Sequence, residues 1–171
     1  MRRITESELL LVSKSNQEKL RNFSDGVQLA ERSGLTIRQI QIQAAKDRLA
    51  LARLQLKDAK LASQNLASSG RAAVSRAYYA MYHAARAASF IAFGGDDHEA
   101  HSALSQKFPV DFPDADVWKN RLKDARLERN RADYDPYPRR RSEFHLVAPK
   151  MIGEAEEMIK LTREYLRKKS I

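Results

Sequence analysis

The chain has 171 residues and a formal net charge of +9, which favours an acidic partner, above all nucleic acid, although many basic helical proteins bind no RNA. We expect one domain and a cytoplasmic protein, because no apolar run reaches the roughly 18 residues of a transmembrane helix and Glu6 and Glu8 occupy the place of a signal-peptide core. The absence of cysteine excludes disulfides and cysteine nucleophiles, and with only 4 histidines we expect neither a metal site nor a cofactor.

The first part of the chain is predicted to form a helical extension at residues 1–35. Thr5 and Glu8 have the S/T-x-x-E spacing of a capping box, so a helix should begin there. Ser24-Asp25-Gly26 should end or bend this helix, and Ser33-Gly34 indicates a second break.

Residues 36–171 are predicted to form a helical bundle. Its first long helix begins at Thr36 and should end in a turn at residues 65–70. The next helix, at residues 71–93, is the most apolar one, and its stripe of alanines allows a neighbouring helix to approach closely. Gly94-Gly95 should stop that helix.

One face of this apolar helix carries Arg76, Tyr79, His83 and Arg86, at positions i, i+3, i+7 and i+10. The functional interpretation is a basic and aromatic face beside a ligand site, in which the first three residues contact substrate. The structural interpretation is that Tyr79 and His83 are buried polar groups hydrogen-bonded to the next helix, which is the more common role of such residues.

A short helix is predicted at residues 98–108, with Asp96 or Asp97 as its cap. His101-Ser102 should lie one turn into it. We interpret this pair mainly as packing that locks the short helix to the bundle.

The helix that follows has a stripe of Trp118, Leu122, Ala125 and Arg129, which begins apolar and ends in a guanidinium. Pro136 disfavours helical backbone in the residue before it, so the helix should end at residues 133–135. Arg129 is therefore expected near a helix terminus.

Two interpretations of this terminus are open. Arg129 can form an ordinary i, i+4 ion pair with Asp133, or it can bind a ligand together with Tyr134. Asn130 and Asp133 can position a substrate, or they can merely cap the helix end.

A basic loop follows at residues 139–141. Arg139 and Arg140 either contact phosphate or belong to a solvated run. Arg140 is also followed, five residues later, by His145, a pair that arginine-rich turns produce by chance. The last helix should hold Pro149 in its first turns.

Three segments together resemble the HEPN family: residues 75–87 (SRAYYAMYHAARA), His101-Ser102 after the glycine break, and residues 129–136 (RNRADYDP). The similarity runs from about residue 44 to the end of the chain. The family consists of small helical bundles found in prokaryotic ribonucleases and in toxin–antitoxin and antiphage systems. The resemblance implies a homodimer that brings the two Arg129 helix ends together across a cleft.

The resemblance also implies a chemistry. Ribonucleases of the family carry an Arg followed, after four to six residues, by a His, and they use the 2′-hydroxyl of RNA as nucleophile without a metal. Arg129 takes the Arg position and would stabilise the charged phosphorane. Tyr134 stands where the His is expected, and with an unperturbed pKa of about 10 it is a weak base at neutral pH.

The expected fold is thus an all-α up-and-down bundle of four main helices plus a short fifth, with an N-terminal helical extension. Three functions remain open. In the first, the protein is an RNA-cleaving toxin or defence effector that acts through Arg129 with Tyr134 or His145. In the second, it is a non-catalytic protein that binds RNA or a nucleotide and has a nucleotidyltransferase as partner. In the third, it is an interaction module that docks on another protein through residues 9–23.

Overall fold

The computed structural model describes residues 4–95, 100–137 and 143–169, without the side chains of residues 66–68. All regular secondary structure in these ranges is helical, so the expected all-α fold is confirmed. The chain divides into two compact units, Met1–Ile40 and Gln41–Ile171. In order, the helices are α1 (Glu6–Ser13), α2 (Gln17–Ser33), α3 (Ile37–Ser63), α4 (Leu66–Ala92), α5 (His101–Gln106), α6 (Ala115–Tyr134) and α7 (Phe144–Lys168).

The first unit contains the predicted capping box. The backbone N–H of Thr5 donates to Glu8 Oε2 at 2.7 Å, and the N–H of Glu8 donates to Thr5 Oγ1 at 3.3 Å. The side chains thereby satisfy two of the backbone donors that the first turn of α1 leaves without helical partners.

The predicted end of this helix at residues 24–26 is wrong. The helix already ends at Ser13, and Asn16 starts α2 by accepting the N–H of Lys19 at 2.9 Å on its side chain. Gly26 lies inside α2, where glycine costs only about 1 kcal/mol relative to alanine. The second predicted break is confirmed, because Gly34 has a left-handed φ of 66° at the end of α2.

The turn predicted at residues 65–70 is shorter than expected: it comprises Gln64 and Asn65, and the rest of the segment is the kinked start of a helix. Helix α4 begins at Leu66, and only Ser69 departs from helical geometry, with φ −125° and ψ 16°. The Ser69 hydroxyl donates to the carbonyl oxygens of Ala62 and Asn65 at 2.8 and 2.7 Å. The side chain thus joins the end of α3 to the start of α4.

Helix α4 is the central element of the second unit and contacts α5, α6 and α7. Its small side chains allow neighbouring helices to approach from several directions. The stripe is buried in the chain's own core, so it offers no surface to a second copy. The fully buried alanines of α4 are Ala73, Ala77, Ala80, Ala84, Ala85, Ala87 and Ala88.

The short helix α5 spans His101–Gln106, which is less than the predicted 98–108. His101 is its first residue and not one turn inside it. The proposed caps Asp96 and Asp97 lie outside the described residues. Gly94 and Gly95 have positive φ values of 74° and 142°, as expected for the end of α4.

The last two long helices match their predicted patterns. Trp118, Leu122 and Ala125 of α6 are buried, and the helix ends at Tyr134, just before Pro136. Pro149 lies in the second turn of α7, near the end at which missing backbone donors are tolerated. Within the described ranges, no helix combines the length and apolar character that crossing a bilayer requires.

Candidate functional site at the end of α6

The C-terminal end of α6 is held by an arginine of α4. Arg71 Nη1 donates to the carbonyl oxygens of Arg131, Ala132 and Asp135, at 3.1, 2.8 and 2.8 Å. These are acceptors that the end of a helix leaves without intrahelical partners. Arg71 therefore fixes the backbone from which Arg129 and Asp133 project.

Arg129 combines the ion pair expected from its spacing with a contact to another helix. Its Nε lies 2.7 Å from Asp133 Oδ2, in an ion pair that lacks hydrogen-bond alignment. Its Nη1 donates to Asn130 Oδ1 at 3.2 Å, and its Nη2 donates to the Tyr79 hydroxyl of α4 at 2.6 Å. The two hydrogen bonds use one N–H of each terminal nitrogen, so each nitrogen keeps a second N–H.

Two tyrosine rings enclose this guanidinium. Its central carbon lies 5.3 Å from the ring centre of Tyr79 and 4.9 Å from that of Tyr134. The Arg129 side chain is only 14% exposed, whereas Tyr134 is 68% exposed. Ser75 of α4 donates to Asp133 Oδ2 at 3.2 Å, which adds a further link between the two helices. We call Tyr79, Arg129, Asn130, Asp133 and Tyr134 the Arg129 cluster.

A histidine from a third helix lies beside this cluster. His101 Nδ1 is 2.6 Å from the Tyr78 hydroxyl, and the imidazole stacks on Tyr82 with ring centres 4.3 Å apart. Tyr79 presents its ring to the same imidazole at 6.2 Å. His101 thus joins α5 to α4, as the packing interpretation expected, but it also adjoins the tyrosine that Arg129 contacts.

The surroundings of His101 favour a neutral imidazole. Partial burial lowers its pKa, and the positive charges of Arg129, Arg126 and Arg86 lower it further. The hydroxyl of Tyr78 has a raised pKa because it is buried, so it stays protonated in contact with His101.

The remaining predicted residues of α4 take different positions. His83 stacks on Tyr79, with ring centres 6.3 Å apart, and lies near Tyr82. Arg86 covers the Tyr82 ring at 5.4 Å. Arg76 donates instead to Gln55 of α3 at 3.1 Å, away from the cluster. The structural interpretation expected Tyr79 to be buried and bonded to the next helix, but Tyr79 is half-buried and accepts its hydrogen bond from Arg129 of α6.

A polar groove of about 300 Å³ lies between α5 and α6. Lys119, Lys123 and Arg126 line it from one face of α6, at positions i, i+4 and i+7. Its lining includes Ser102, which is next to His101 in the chain, and Arg126, which precedes Arg129 by about one helical turn. We call it the α5–α6 groove; its other lining residues are Ser105, Gln106, Asn120 and Leu127.

A second basic cavity of about 410 Å³ lies between α3 and α7, and we call it the α3–α7 cavity. It has an apolar floor of Leu49 and Leu166. Its rim carries four cations, Lys46, Arg53, Arg163 and Arg167.

The alternative site at the start of α7 is described only in part. His145 is exposed in the first turn of α7, and within the described ranges no contact joins it to Arg129. Arg139 and Arg140 lie outside the described residues, so the structure does not place the Arg140–His145 pair.

Several residues around the Arg129 cluster were not predicted from the sequence to belong to the site. Arg126 precedes Arg129 by three positions, and this spacing could have placed both on neighbouring lines of α6. Tyr78 and Tyr82 resemble ordinary core aromatics in sequence. Arg71 gives no local signal, because its acceptors lie about sixty positions away.

The chain matches no family profile, and it has no significant similarity to a curated protein or to a solved structure.

Proposed function

We propose that the protein acts on or binds RNA, with Arg129 at a backbone phosphate and the adjoining strand in the α5–α6 groove. The proposal rests on the HEPN resemblance and on the geometry of Arg129. A prokaryotic toxin–antitoxin or antiphage setting follows from the resemblance alone.

The observation that carries the proposal is a guanidinium held in place yet still able to donate. Tyr79, Asn130 and Asp133 fix its plane, while each terminal nitrogen keeps one N–H. Two such N–H groups match two phosphate oxygens in a bidentate contact. Lys123 and Arg126, which form no ion pair within the described ranges, supply charge to neighbouring phosphates.

The aromatic residues favour a single strand over a duplex. Tyr134 is exposed beside Arg129, and an unstacked base can pack on such a ring. The bases of a duplex stack on one another and cannot reach it without opening.

Binding of a fluorescent single-stranded RNA, followed by anisotropy, tests the proposal. Arg129→Ala and Arg126→Ala should each weaken binding about tenfold or more, because each removes a charged phosphate contact. Arg129→Ala should also reduce the slope of log affinity against log salt by about 0.7, the value for one phosphate on a single strand.

Arg163→Ala is the matched control, since it removes the same charge from the α3–α7 cavity. It should change affinity less than about threefold at moderate salt. Equal losses in Arg163→Ala and Arg129→Ala would mean that net charge alone attracts RNA. Absence of binding by the native protein would overturn the proposal.

We further propose that the protein forms a homodimer, with the Arg129 end of α6 in or beside the interface, as the resemblance implies. Sedimentation velocity at micromolar concentration should show a dimer. A monomer at that concentration contradicts the dimer proposal without affecting RNA binding.

A second candidate function is favoured by the exposure of Tyr134 and Tyr137, which are 68% and 60% exposed. A non-catalytic HEPN protein with a nucleotidyltransferase partner would present such tyrosines for modification. Mass spectrometry after incubation with that partner and ATP should then find a nucleotidyl adduct that Tyr134→Phe or Tyr137→Phe removes. Unmodified tyrosines would exclude this candidate.

A further inference from the structure

We infer that His101 is the proton-transfer residue of an RNA-cleaving site, and that it takes the role for which Tyr134 is chemically unsuited. This inference rests on the proposed function, because it assumes that Arg129 holds the phosphate. It assigns a catalytic role to a residue that the sequence pattern indicated only as packing.

The position of His101 suits it to the same substrate group as Arg129. Tyr79 contacts both residues, with its hydroxyl 2.6 Å from Arg129 Nη2 and its ring centre 6.2 Å from that of His101. One tyrosine ring therefore separates imidazole and guanidinium, a span that a phosphate and its ribose can bridge. Ser102, next in the chain, lines the α5–α6 groove in which the strand is proposed to lie.

The orientation of His101 is fixed by two contacts to α4. Tyr78 holds Nδ1 at 2.6 Å, and Tyr82 supports the ring face at 4.3 Å. His101 is nevertheless exposed, and within the described ranges nothing hydrogen-bonds its Nε2. A histidine held through one ring nitrogen, with the other open to solvent, has the usual arrangement of a general base.

The Tyr78 hydroxyl can support both protonation states of the imidazole. A hydroxyl donates to Nδ1 or accepts from it by rotating its proton. When Nε2 acts as base, Nδ1 carries the proton and donates to the Tyr78 oxygen, and this hydrogen bond persists once the ring is charged. Tyr78 is therefore a positioning residue, and it stays uncharged because burial raises its pKa.

The charges around His101 keep it able to accept a proton near neutral pH. Burial and the three nearby arginines lower its pKa, so the imidazole is neutral there. Among the described residues, the titratable and charged groups that face it are Tyr78, Tyr79, Tyr82 and Arg86 from α4 and Arg126 and Arg129 from α6.

The proposed step is a transesterification. His101 Nε2 takes the proton of the 2′-hydroxyl, and the 2′-oxygen bonds to phosphorus while Arg129 stabilises the charge that develops on the phosphoryl oxygens. The bond from phosphorus to the 5′-oxygen breaks, and that oxygen takes a proton from solvent. His101 then returns its proton to solvent, so the products are a 2′,3′-cyclic phosphate and a 5′-hydroxyl.

A cleavage assay on single-stranded RNA, with chelator present and products resolved by end-group analysis, tests the inference. The native protein should release 2′,3′-cyclic phosphate ends. His101→Asn should lower the rate by about 100-fold or more, the typical effect of a general base, and leave RNA affinity within about threefold. Arg163→Ala, in the α3–α7 cavity, should cleave at the native rate within about threefold.

Two further variants separate chemistry from folding. His83→Asn removes a neighbouring imidazole and should keep most of the activity. Tyr78→Phe keeps the ring but loses the hydroxyl, so it should reduce the rate about tenfold and move the acid limb of the pH–rate profile. A purely structural His101 would leave that acid limb unchanged in Tyr78→Phe.

Different experimental results would contradict the role of His101 and the binding of RNA. If the native protein binds RNA through Arg129 but forms no cyclic phosphate, His101 is not catalytic and the binding proposal stands. Cleavage that survives His101→Asn but is lost in His145→Asn would assign the role to the start of α7. If no RNA binds, both proposals fall.

Discussion

Trp118 and Arg129 lie along one stripe of α6 but have different roles. Trp118 is 1% exposed, and its removal leaves a large cavity in the core. Arg129 lies at the polar end of the stripe, where Asp133 can be rehydrated if the guanidinium is lost.

Trp118→Ala should therefore lower the free energy of unfolding by about 3–5 kcal/mol. Arg129→Ala should cost less, about 1–2 kcal/mol, because the mutation removes the donor and Asp133, whose side chain is 26% exposed, can bind water instead. Urea denaturation followed by circular dichroism measures both. Equal losses would identify Arg129 as a structural buried charge.

The lowered pKa of His101 also predicts a pH dependence of stability. Above pH 6.5, the ordinary pKa of the group, the imidazole is neutral in both the folded and the unfolded chain. Below it, the unfolded chain binds the proton first, so unfolding becomes more favourable as the pH falls towards the folded-state pKa.

The native protein should thus lose stability as the pH falls below about 6.5, and His101→Asn should lose less over the same range. Parallel thermal melts of the two proteins across that range measure the difference. Identical pH dependence would mean that the folded chain does not lower the pKa of His101.

At the residue scale, the sequence grouped the residues of the Arg129 cluster that lie on α6, but it did not place His101 beside them. Arg129, Asp133 and Tyr134 are close in sequence, so helical spacing sufficed to group them. His101 adjoins Tyr79 of the cluster and is held there by Tyr78, and only the packing of α5 on α4 creates these contacts. No local pattern encodes them.

At the scale of the elements, the end of α6 depends on a single arginine from another helix. Arg71 satisfies three terminal carbonyl groups that would otherwise compete for water. Its guanidinium also lies 5.1 Å from the Phe144 ring centre, at the start of α7.

Arg71→Ala should lower the free energy of unfolding by about 1–3 kcal/mol, because buried or half-buried acceptors lose a charged donor. Arg76→Ala, which removes a more exposed arginine with one hydrogen bond to Gln55, should cost less than about 1 kcal/mol. Chemical denaturation of both variants provides the comparison. A similar loss of unfolding free energy in the two variants would show that Arg71 does not stabilise the end of α6 as a cap.

The elements were predicted best where one strong signal fixed a boundary. Pro136 and the Gly94-Gly95 pair correctly placed the ends of α6 and α4. The N-terminal break was misplaced because Asn16, an effective N-cap, outweighed the glycine at position 26, which a helix tolerates at a small cost. The boundary at residues 65–70 was difficult to predict because only Ser69 departs from helical backbone angles within the start of α4.

At the scale of the whole molecule, the all-α bundle follows from apolar periodicity, which the burial of Trp118, Leu122 and Ala125 on α6 confirms. The distribution of charge does not follow from the sequence. The net charge of +9 falls on at least two basic regions, the α5–α6 groove with the Arg129 cluster and the α3–α7 cavity. The proposed function requires that phosphate binds at the first of these two regions.

A crystal structure with a short single-stranded RNA that lacks the reactive 2′-hydroxyl tests this most directly. We predict a backbone phosphate with oxygens about 2.7–2.9 Å from both terminal nitrogens of Arg129, and its ribose facing His101 Nε2. A strand whose phosphates lie in the α3–α7 cavity, with Arg129 bound only to Tyr79, Asn130 and Asp133, would contradict the account.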